Sequence, residues 1–418
     1  MSNFLYGVDF GTTNSVLSIY DEKRKEIIHT IRVPSLIYFP ENSGNKSHVV
    51  GEQAIAAYLE DGMHGRFIKS VKQILSRSSF IETRIQGKRY NASDLVALII
   101  KALKARADEI VGADCTKAVI GRPVFFDDDN ASKDTLAQTR LSAAVQKAGF
   151  TDVRFQFEPV GAAFAYERTM RKRERVLVAD LGGGTTDFTY LELDPERASA
   201  KDRKRDMIAS GGIYIGGDSF DSAFMWNKGT PYFGKDTLYE ATPGKVLKVP
   251  MSLFENICSW DKMNFFNSLR IKRNMEEYYH YSKNDRKFKN LLTLIDNNLG
   301  YSVFQAIEKT KIGLSQVDVC PFQYSNMEIE IDEEISIETY NDVILKDIHK
   351  ISAYLDKFLI SNNIQVKDID SIFLTGGTSM VRAIKDLFEN KFPYSKINTG
   401  ENFTSVAQGL AYSGYLFE

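Results

Sequence analysis

Two segments of the chain share one pattern of apolar and small polar residues. Residues 5–19 and residues 176–191 each contain an apolar run, an aspartate, a turn rich in Gly and Thr, and a second apolar run. Apolar runs on either side of a glycine-rich turn are typical of β-hairpins. We therefore predict two hairpins, and two copies of one motif indicate a duplicated α/β domain.

The segments around these hairpins alternate between strand-like and helix-like patterns. Short apolar runs predict further strands, and longer runs with helical spacing predict helices. The predicted strands are 118–125, 153–157 and 369–375, and the predicted helices are 131–148, 159–168, 380–390 and 406–416. This order predicts an α/β fold.

The middle of the chain, about 222–345, differs in character. It is rich in Lys, Asn, Tyr and Phe and has helical spacing over 265–281 and 288–314. We interpret it as a mainly helical insertion. Basic residues cluster at 168–175 and 201–205, between predicted elements, and such charge runs are typical of solvated loops.

Composition and charge exclude several classes of protein. The chain has 418 residues, with 53 Lys and Arg against 55 Asp and Glu, so no basic field indicates nucleic acid or an anionic membrane as partner. Three distant cysteines without a CxxC pair favour a reduced, cytoplasmic compartment. The N-terminus lacks the pattern of a signal peptide, and the five histidines have no metal-ligand spacing.

The two predicted hairpins carry the chemistry of a phosphate site. A turn of Gly and Thr lets backbone N–H groups converge on an anion, and an aspartate beside it can hold hydrated Mg²⁺. Together with a third turn at Gly376 and Gly377, the pair predicts a clamp for a polyphosphate and its metal. Residues 229–236 only approximate a P-loop, because Asp236 replaces the metal-binding hydroxyl and Pro231 removes a donor.

Several motifs together resemble the actin/hexokinase/Hsp70 superfamily. Residues 9–15 (DFGTTNS), 180–187 (DLGGGTTD) and 374–379 (LTGGTS) resemble its two phosphate motifs and its adenosine motif. Residues 157–163 (FEPVGAA), 213–221 (IYIGGDSFD) and 308–315 (EKTKIGLS) resemble the Hsp70 ATPase domain in particular. Residues 119–125 (VIGRPVF) and 155–159 (FQFEP) are most similar to its bacterial YegD-like branch.

The resemblance implies a bilobal actin-like ATPase fold, in which two ribonuclease-H-like lobes flank a nucleotide cleft. Lobe I would comprise residues 1–170 and the terminal helix within 396–418. Lobe II would comprise 171–395, with the helical insertion at about 222–345.

The resemblance also implies a role for individual residues. Asp9 and Asp180 would hold Mg²⁺ through water, Lys72 would be the catalytic lysine, and Glu158 would orient water and metal. Nucleotide contacts would come from the glycine-rich turns and from one helix face: Gly11, Thr12, Thr13, Gly182, Gly183, Gly184, Thr185, Gly216, Gly217, Glu308, Lys311, Ser315, Gly376, Gly377 and Thr378.

The chain departs from the family pattern at two places. Position 380 is Met where the family usually has a nucleotide-stacking Arg, and the region near Phe403 lacks the usual Asp-containing turn. We therefore expect a differently shaped adenine site. The sequence ends at Glu418, directly after the ATPase-type motifs, so we also expect no peptide-binding domain.

These features predict an Hsp70-like, chaperone-like ATPase that binds ATP or ADP with Mg²⁺. The nucleotide state would control lobe closure and the binding of a protein partner or client, in a monomeric cytoplasmic protein that contacts neither nucleic acid nor membrane. The main alternative is a nucleotide-dependent switch that does not hydrolyse ATP. A sugar-type kinase and an actin-like filament protein are weaker alternatives.

Overall fold

The structure is a computed structural model, and it describes residues 3–41, 47–62, 64–127, 130–167, 170–198, 200, 203–399 and 404–417. Phe403 lies outside these residues. The chain divides into two compact units. Unit 1 comprises Met1–Gly216, Ile351–Ser379 and Lys385–Glu418, and unit 2 comprises Gly217–Lys350 and Met380–Ile384.

Strands form the sheets of unit 1 and two hairpins of unit 2. In the described part of the chain they are β1 (Phe4–Phe10), β2 (Asn14–Asp21), β3 (Glu26–Pro34), β4 (Ile37–Phe39), β5 (Val49–Val50), β6 (Arg66–Ile68), β7 (Thr83–Ile85), β8 (Lys88–Tyr90), β9 (Lys117–Arg122), β10 (Asp152–Phe157), β11 (Glu174–Leu181), β12 (Thr186–Leu193), β13 (Met207–Ile213), β14 (Leu238–Thr242), β15 (Lys245–Lys248), β16 (Val319–Asn326), β17 (Ile329–Ser336), β18 (Ser371–Thr375) and β19 (Lys396–Asn398).

Helices occur in both units. Among the described residues they are α1 (Glu52–Glu60), α2 (Ala92–Val111), α3 (Ala131–Lys147), α4 (Glu158–Glu167), α5 (Gly217–Phe224), α6 (Met251–Ile257), α7 (Leu269–Tyr281), α8 (Arg286–Asp296), α9 (Gly300–Leu314), α10 (Ile337–Ser361), α11 (Arg382–Lys391) and α12 (Ser405–Tyr412). None of these helices is both long enough and apolar enough to cross a membrane.

The two predicted hairpins are confirmed, and each forms the centre of a five-stranded sheet in unit 1. The first sheet has the order β10-β9-β1-β2-β3, and the second has the order β19-β18-β11-β12-β13. In both, the hairpin is antiparallel and its first strand also pairs in parallel with the next strand, β9 or β18. The duplication predicted from two turns therefore extends over two complete sheets, as expected for the mixed α/β actin-like fold.

Helices α4 and α12 pack against each other and share one apolar core with both sheets. Val160 of α4 and Leu410 of α12 are buried with Val119 of the first sheet and Val178 of the second. The two helices approach so closely that a Cβ atom on Gly409 would lie 1.9 Å from the carbonyl oxygen of Gly161. Only glycine permits this approach, because any side chain would overlap with backbone.

Unit 2 contains helices and two hairpins, β14–β15 and β16–β17, which the sequence patterns did not predict. The prediction of one continuous helix over 288–314 is wrong, because α8 ends at Asp296 and α9 begins at Gly300. Asn298 between them has a left-handed backbone with φ of 52°. Asparagine tolerates this conformation better than most residues, and a single such residue interrupts a helix.

The expectation that both basic runs are solvated is wrong for Arg203, whose side chain is fully buried. Its guanidinium donates to Glu167 Oε1, the last residue of α4, at 2.7 Å and to the carboxylate of Asp206. Arg197 pairs with the other oxygen of Asp206 at 3.0 Å. The cluster joins the end of α4 to the segment that leads into β13.

We expect Arg203→Met to lower the free energy of unfolding by about 3–5 kcal/mol, because it leaves Glu167 and Asp206 buried with one cation fewer. Chemical denaturation measures this change. Arg24→Met is the matched control, since Arg24 is mostly exposed in its pair with Asp21 and exposed pairs contribute about 0–1 kcal/mol. Equal losses in the two variants would contradict a stabilising role for the buried cluster.

Candidate functional site

The first predicted phosphate turn connects β1 to β2. A Cβ atom on Gly11 would lie 2.1 Å from the carbonyl oxygen of Asn14, so the turn closes only with glycine there. Ser35 holds the turn from outside: its hydroxyl donates to Gly11 O at 2.7 Å and its N–H donates to Thr13 O at 2.8 Å. Thr12 and Thr13 are thus presented on a fixed backbone.

The second predicted turn connects β11 to β12 and is closed by a hydrogen bond from Gly182 N–H to Thr185 O at 3.0 Å. Two distant segments meet it. The hydroxyl of Thr378 donates to Gly182 O at 2.8 Å, and a Cβ atom on Gly216 would lie 2.5 Å from the same oxygen. Three turns that are separate in the sequence therefore form one surface around Gly182 and Gly183.

Asp180 ends the apolar part of β11 and lies beside β18. The hydroxyl of Thr375 donates to Asp180 Oδ1 at 3.0 Å. Gly376, the next residue, has φ of 78°, and a Cβ atom there would lie 2.3 Å from Leu181 O. The Gly376–Gly377 turn thus fits against the strand that carries Asp180, and a short 3₁₀ helix, Gly377–Met380, follows it.

Lys72 and Glu158 form an ion pair across 86 residues of sequence. Lys72 lies in a 3₁₀ turn, Val71–Ile74, and Glu158 is the first residue of α4, directly after β10. Lys72 Nζ donates to Glu158 Oε1 at 2.7 Å, and the two side chains are only 17% and 8% exposed. The structure therefore brings both predicted catalytic side chains to one point.

Asp9 and Asp180 interact electrostatically with this pair. Burial raises the pKa of Asp9 to about 8, and the nearby charge of Glu158 adds to the effect. Burial also raises the pKa of Glu158, although Lys72 opposes the shift. Burial alone would lower the pKa of Lys72, but the surrounding carboxylates, Glu158 first among them, outweigh it and raise that pKa. One ammonium thus stands among three acidic groups.

Asp187 is a site residue to which sequence reasoning assigned no role. The hydroxyl of Thr185 donates to Asp187 Oδ2 at 2.8 Å, and a Cβ atom on Gly212 would lie 2.1 Å from Oδ1. Asp187 lines a cavity of about 30 Å³ together with Glu158 and Asp180. This volume suits one or two water molecules rather than a nucleotide. The sequence feature that could have identified Asp187 is its position in the 180–187 motif.

The predicted adenosine-binding residues of unit 2 lie towards the end of α9. Lys311 Nζ is held by both carboxylate oxygens of Asp221 on α5, at 2.7 and 2.9 Å, whereas Glu308 is exposed. Ser315 donates its hydroxyl to Ile312 O at 2.7 Å. Gly217 begins α5. Asp221 was not predicted as a site residue, although it stands in the 213–221 motif.

Metal binding at Asp9 and Asp180 stays a prediction. Across the described ranges, no three His, Cys, Asp or Glu side chains form a group that would hold a metal ion directly. The prediction concerned a hydrated ion, which needs oxygen acceptors for its water shell rather than a closed set of ligands.

Comparison with known proteins agrees with the fold. A family model described as Hsp70 protein matches residues 5–227 and 280–417. The chain therefore belongs to the Hsp70 family. The unmatched residues between the two matched ranges include β14, β15 and α6.

The relatives with curated names include bacterial chaperones. The chain is 26% identical over 424 residues to the chaperone protein DnaK of Mycoplasmopsis pulmonis, a match covering 98% of this chain and 58% of that protein. It is 33% identical over 229 residues to the chaperone protein DnaK of Thermosipho melanesiensis, covering 53% of this chain and 35% of that protein. The chain thus spans somewhat over half the length of the DnaK proteins that it matches along its full extent.

We expect Asp9→Asn to raise the melting temperature without nucleotide, and more so at about pH 9 than at about pH 5. In the folded chain Asp9 keeps its proton to about pH 8, whereas its ordinary pKa is 3.8. A carboxyl whose pKa is raised by folding makes the folded state less stable as the pH rises through this interval, and an amide does not ionise.

Thermal unfolding at the two pH values measures the difference. Asp386→Asn, at an exposed position of α11, is the control and should change the melting temperature equally at both. A gain for Asp9→Asn that does not depend on pH would show that the carboxyl is ionised throughout.

Proposed function

We propose that the chain binds ATP with Mg²⁺ and hydrolyses it to ADP, and that the nucleotide state controls lobe closure and the binding of a protein partner. The observation that carries the proposal is the buried Lys72–Glu158 pair, with Asp9 and Asp180 beside it, in the same unit as the glycine-rich turns. Membership of the Hsp70 family, whose proteins bind adenine nucleotides, supports the same nucleotide class.

The phosphates would bind at the two hairpin turns. Backbone N–H groups of Gly11, Gly183 and Gly184 can approach phosphate oxygens closely, because glycine has no side chain of its own. The hydroxyls of Thr12 and Thr13 would add donors, and the hydroxyl of Thr185 would donate to a phosphate oxygen in exchange for its bond to Asp187. The contacts of Ser35 and Thr378 with the backbone of these turns support the proposal, since a site that is already ordered loses little entropy on binding.

Mg²⁺ fits the donor set of the proposed site. Asp9, Glu158 and Asp180 place three carboxyl groups around the ammonium of Lys72, and a bound cation would favour the ionised form of Asp9. Carboxylate oxygens are hard ligands that hold hydrated Mg²⁺, and we assign this role to Asp9 and Asp180. When bound, the ion would neutralise part of the charge on the β- and γ-phosphates.

Lys72 and Glu158 would act on the reacting group. Phosphoryl transfer depends mainly on positioning and on stabilisation of charge around the γ-phosphoryl group. The ammonium of Lys72 is a point charge suited to that oxygen-rich group, and Glu158 holds it at 2.7 Å before nucleotide binds. The free oxygen of Glu158 would orient the attacking water.

In unit 2, Glu308, Lys311 and Ser315 would contact the adenosine part of the nucleotide. We also propose nucleotide contacts for Gly216, Gly217, Gly376, Gly377 and Thr378. An ammonium has three N–H donors, and Asp221 accepts from Lys311 with two oxygens. We assign to Asp221 the role of holding Lys311 in place. Met380, which is 46% exposed, gives this part of the site a flexible thioether in place of the family's arginine.

The cellular role that we propose is chaperone-like. The DnaK proteins that resemble this chain are named as chaperones, and a chain of this family would couple its nucleotide state to a protein partner or client. We propose a monomeric cytoplasmic protein, without nucleic acid or membrane as partner.

Mg²⁺-ATP should raise the melting temperature, because a ligand that binds only the folded state stabilises it. At 100 times its dissociation constant the gain is about 2.7 kcal/mol. Differential scanning fluorimetry with ATP, ADP and adenosine, each with Mg²⁺ or with EDTA, measures the shift. We expect the largest shift for ATP with Mg²⁺. Unchanged melting in millimolar Mg²⁺-ATP would overturn the proposed function.

Lys72→Ala should lower the single-turnover rate of ATP hydrolysis by about 10²-fold, roughly 2.7 kcal/mol of transition-state stabilisation. ATP affinity should change only a few-fold, because the turns still hold the phosphates. Lys357→Ala, which removes an exposed lysine of α10, is the matched control. If wild-type protein binds ATP but neither it nor the variant hydrolyses it, the chain is a nucleotide-dependent switch.

A further inference from the structure

Gln73 follows Lys72 in the 3₁₀ turn and reaches the second phosphate turn. A Cβ atom added to Gly184 would lie 2.4 Å from Gln73 Nε2 and 3.9 Å from the side-chain methyl of Thr12. The end of the Gln73 side chain therefore lies against Gly184, on the side of this glycine that Thr12 also approaches. It stands where residues of the two phosphate turns come near each other.

The backbone that carries Gln73 is held by one arginine. Arg140 of α3 donates to four carbonyl oxygens at the end of the 3₁₀ turn and just after it, at distances of 2.8–3.0 Å. They belong to Ile74, Leu75, Arg77 and Phe80. Before the turn, Ser70 has a left-handed backbone with φ of 56°, which redirects the chain into it. The backbone on either side of Gln73 is thus held in place.

The carboxamide of Gln73 makes no hydrogen bond within the described part of the chain, and the residue is partly exposed. Two polar residues next to Gln73 or Gly184 in the sequence already have hydrogen-bond partners: Lys72 bonds to Glu158, and Thr185 bonds to Asp187. A donor and an acceptor that are held against a glycine-rich anion turn without a protein partner are available to a ligand.

We propose that Gln73 contacts the γ-phosphoryl group of bound ATP and the water that attacks it. The proposal rests on the proposed function. Nε2 donates to a γ-phosphoryl oxygen, and Oε1 accepts from the attacking water. The water oxygen bonds to the γ-phosphorus, the bond from that phosphorus to the bridging oxygen of ADP breaks, and the water proton leaves with inorganic phosphate or solvent. Gln73 remains neutral and positions the reactants.

The chemistry of the amide suits this task. An uncharged group adds a donor and an acceptor beside Lys72 without repelling its ammonium or competing for Glu158. A glutamine that orients the attacking water is a known solution in nucleotide hydrolysis. Because ADP lacks the γ-phosphoryl group, Gln73 should distinguish ATP from ADP, whereas the backbone donors of the turns serve both.

The first test compares Gln73→Ala and Gln73→Glu with the wild-type chain. Gln73→Ala should lower the single-turnover rate about tenfold while ADP affinity stays within about twofold. Gln73→Glu places a carboxylate against the phosphates and should weaken ATP binding at least about tenfold more than ADP binding, measured by calorimetry. Gln53→Ala, at an exposed position of α1, is the matched control.

A double-mutant cycle tests the contact itself. In Gly184→Ala the new methyl group would overlap with the Gln73 amide and displace it, so the rate should fall to about that of Gln73→Ala. Gly184→Ala with Gln73→Ala should then be no slower than the slower single variant. Residues that act through one contact are non-additive in this way, whereas fully additive losses would overturn the contact.

The outcomes separate this proposal from the one on which it rests. If Mg²⁺-ATP does not stabilise the wild-type chain, both fail. If wild-type protein binds and hydrolyses ATP but Gln73→Ala and Gln73→Glu match it in rate and in the ratio of ATP to ADP affinity, only the role of Gln73 is overturned.

Discussion

The ion pair between Lys72 and Glu158 is the contact on which the proposed site depends. A buried charge without a partner costs several kcal/mol, so the two residues must meet although 86 residues separate them. Their meeting requires a fixed 3₁₀ turn, which Arg140 holds through its bonds to four carbonyls. It also requires α4 to begin beside that turn, and the core shared by α4, α12 and both sheets sets this position.

Duplication explains how one unit offers two phosphate turns. Each sheet has the same strand order around an antiparallel hairpin, so each places one Gly/Thr turn and one aspartate at the same end of its first strand. The helices between the sheets must approach closely, which Gly161 and Gly409 permit. The buried cluster of Arg203, Glu167 and Asp206 anchors the far end of α4, the helix whose first residue is Glu158.

The buried acidic groups of the site are electrostatically unfavourable, and a core built only for stability would not contain them. Asp9, Glu158 and Asp180 interact with one ammonium, and the pKa of Asp9 is raised first by burial and then by the nearby charge of Glu158. Such arrangements are typical of functional sites, where groups are held for a ligand rather than for the stability of the free protein. A bound divalent cation would add positive charge near these carboxylates, and the polyphosphate would add partners for the donors of the turns.

The sequence by itself determined the hairpins, the mixed α/β class and the identity of the turn residues, because glycine and the alternation of apolar runs have local physical causes. Local pattern did not reveal the burial of Arg203, the break between α8 and α9 at Asn298, or the roles of Asp187 and Asp221. Nor did it show that Gln73 lies against Gly184. These features depend on which distant segments pack together, and charge runs and helical spacing do not predict such contacts. Only the tertiary structure decided which polar side chains of the described residues have hydrogen-bond partners.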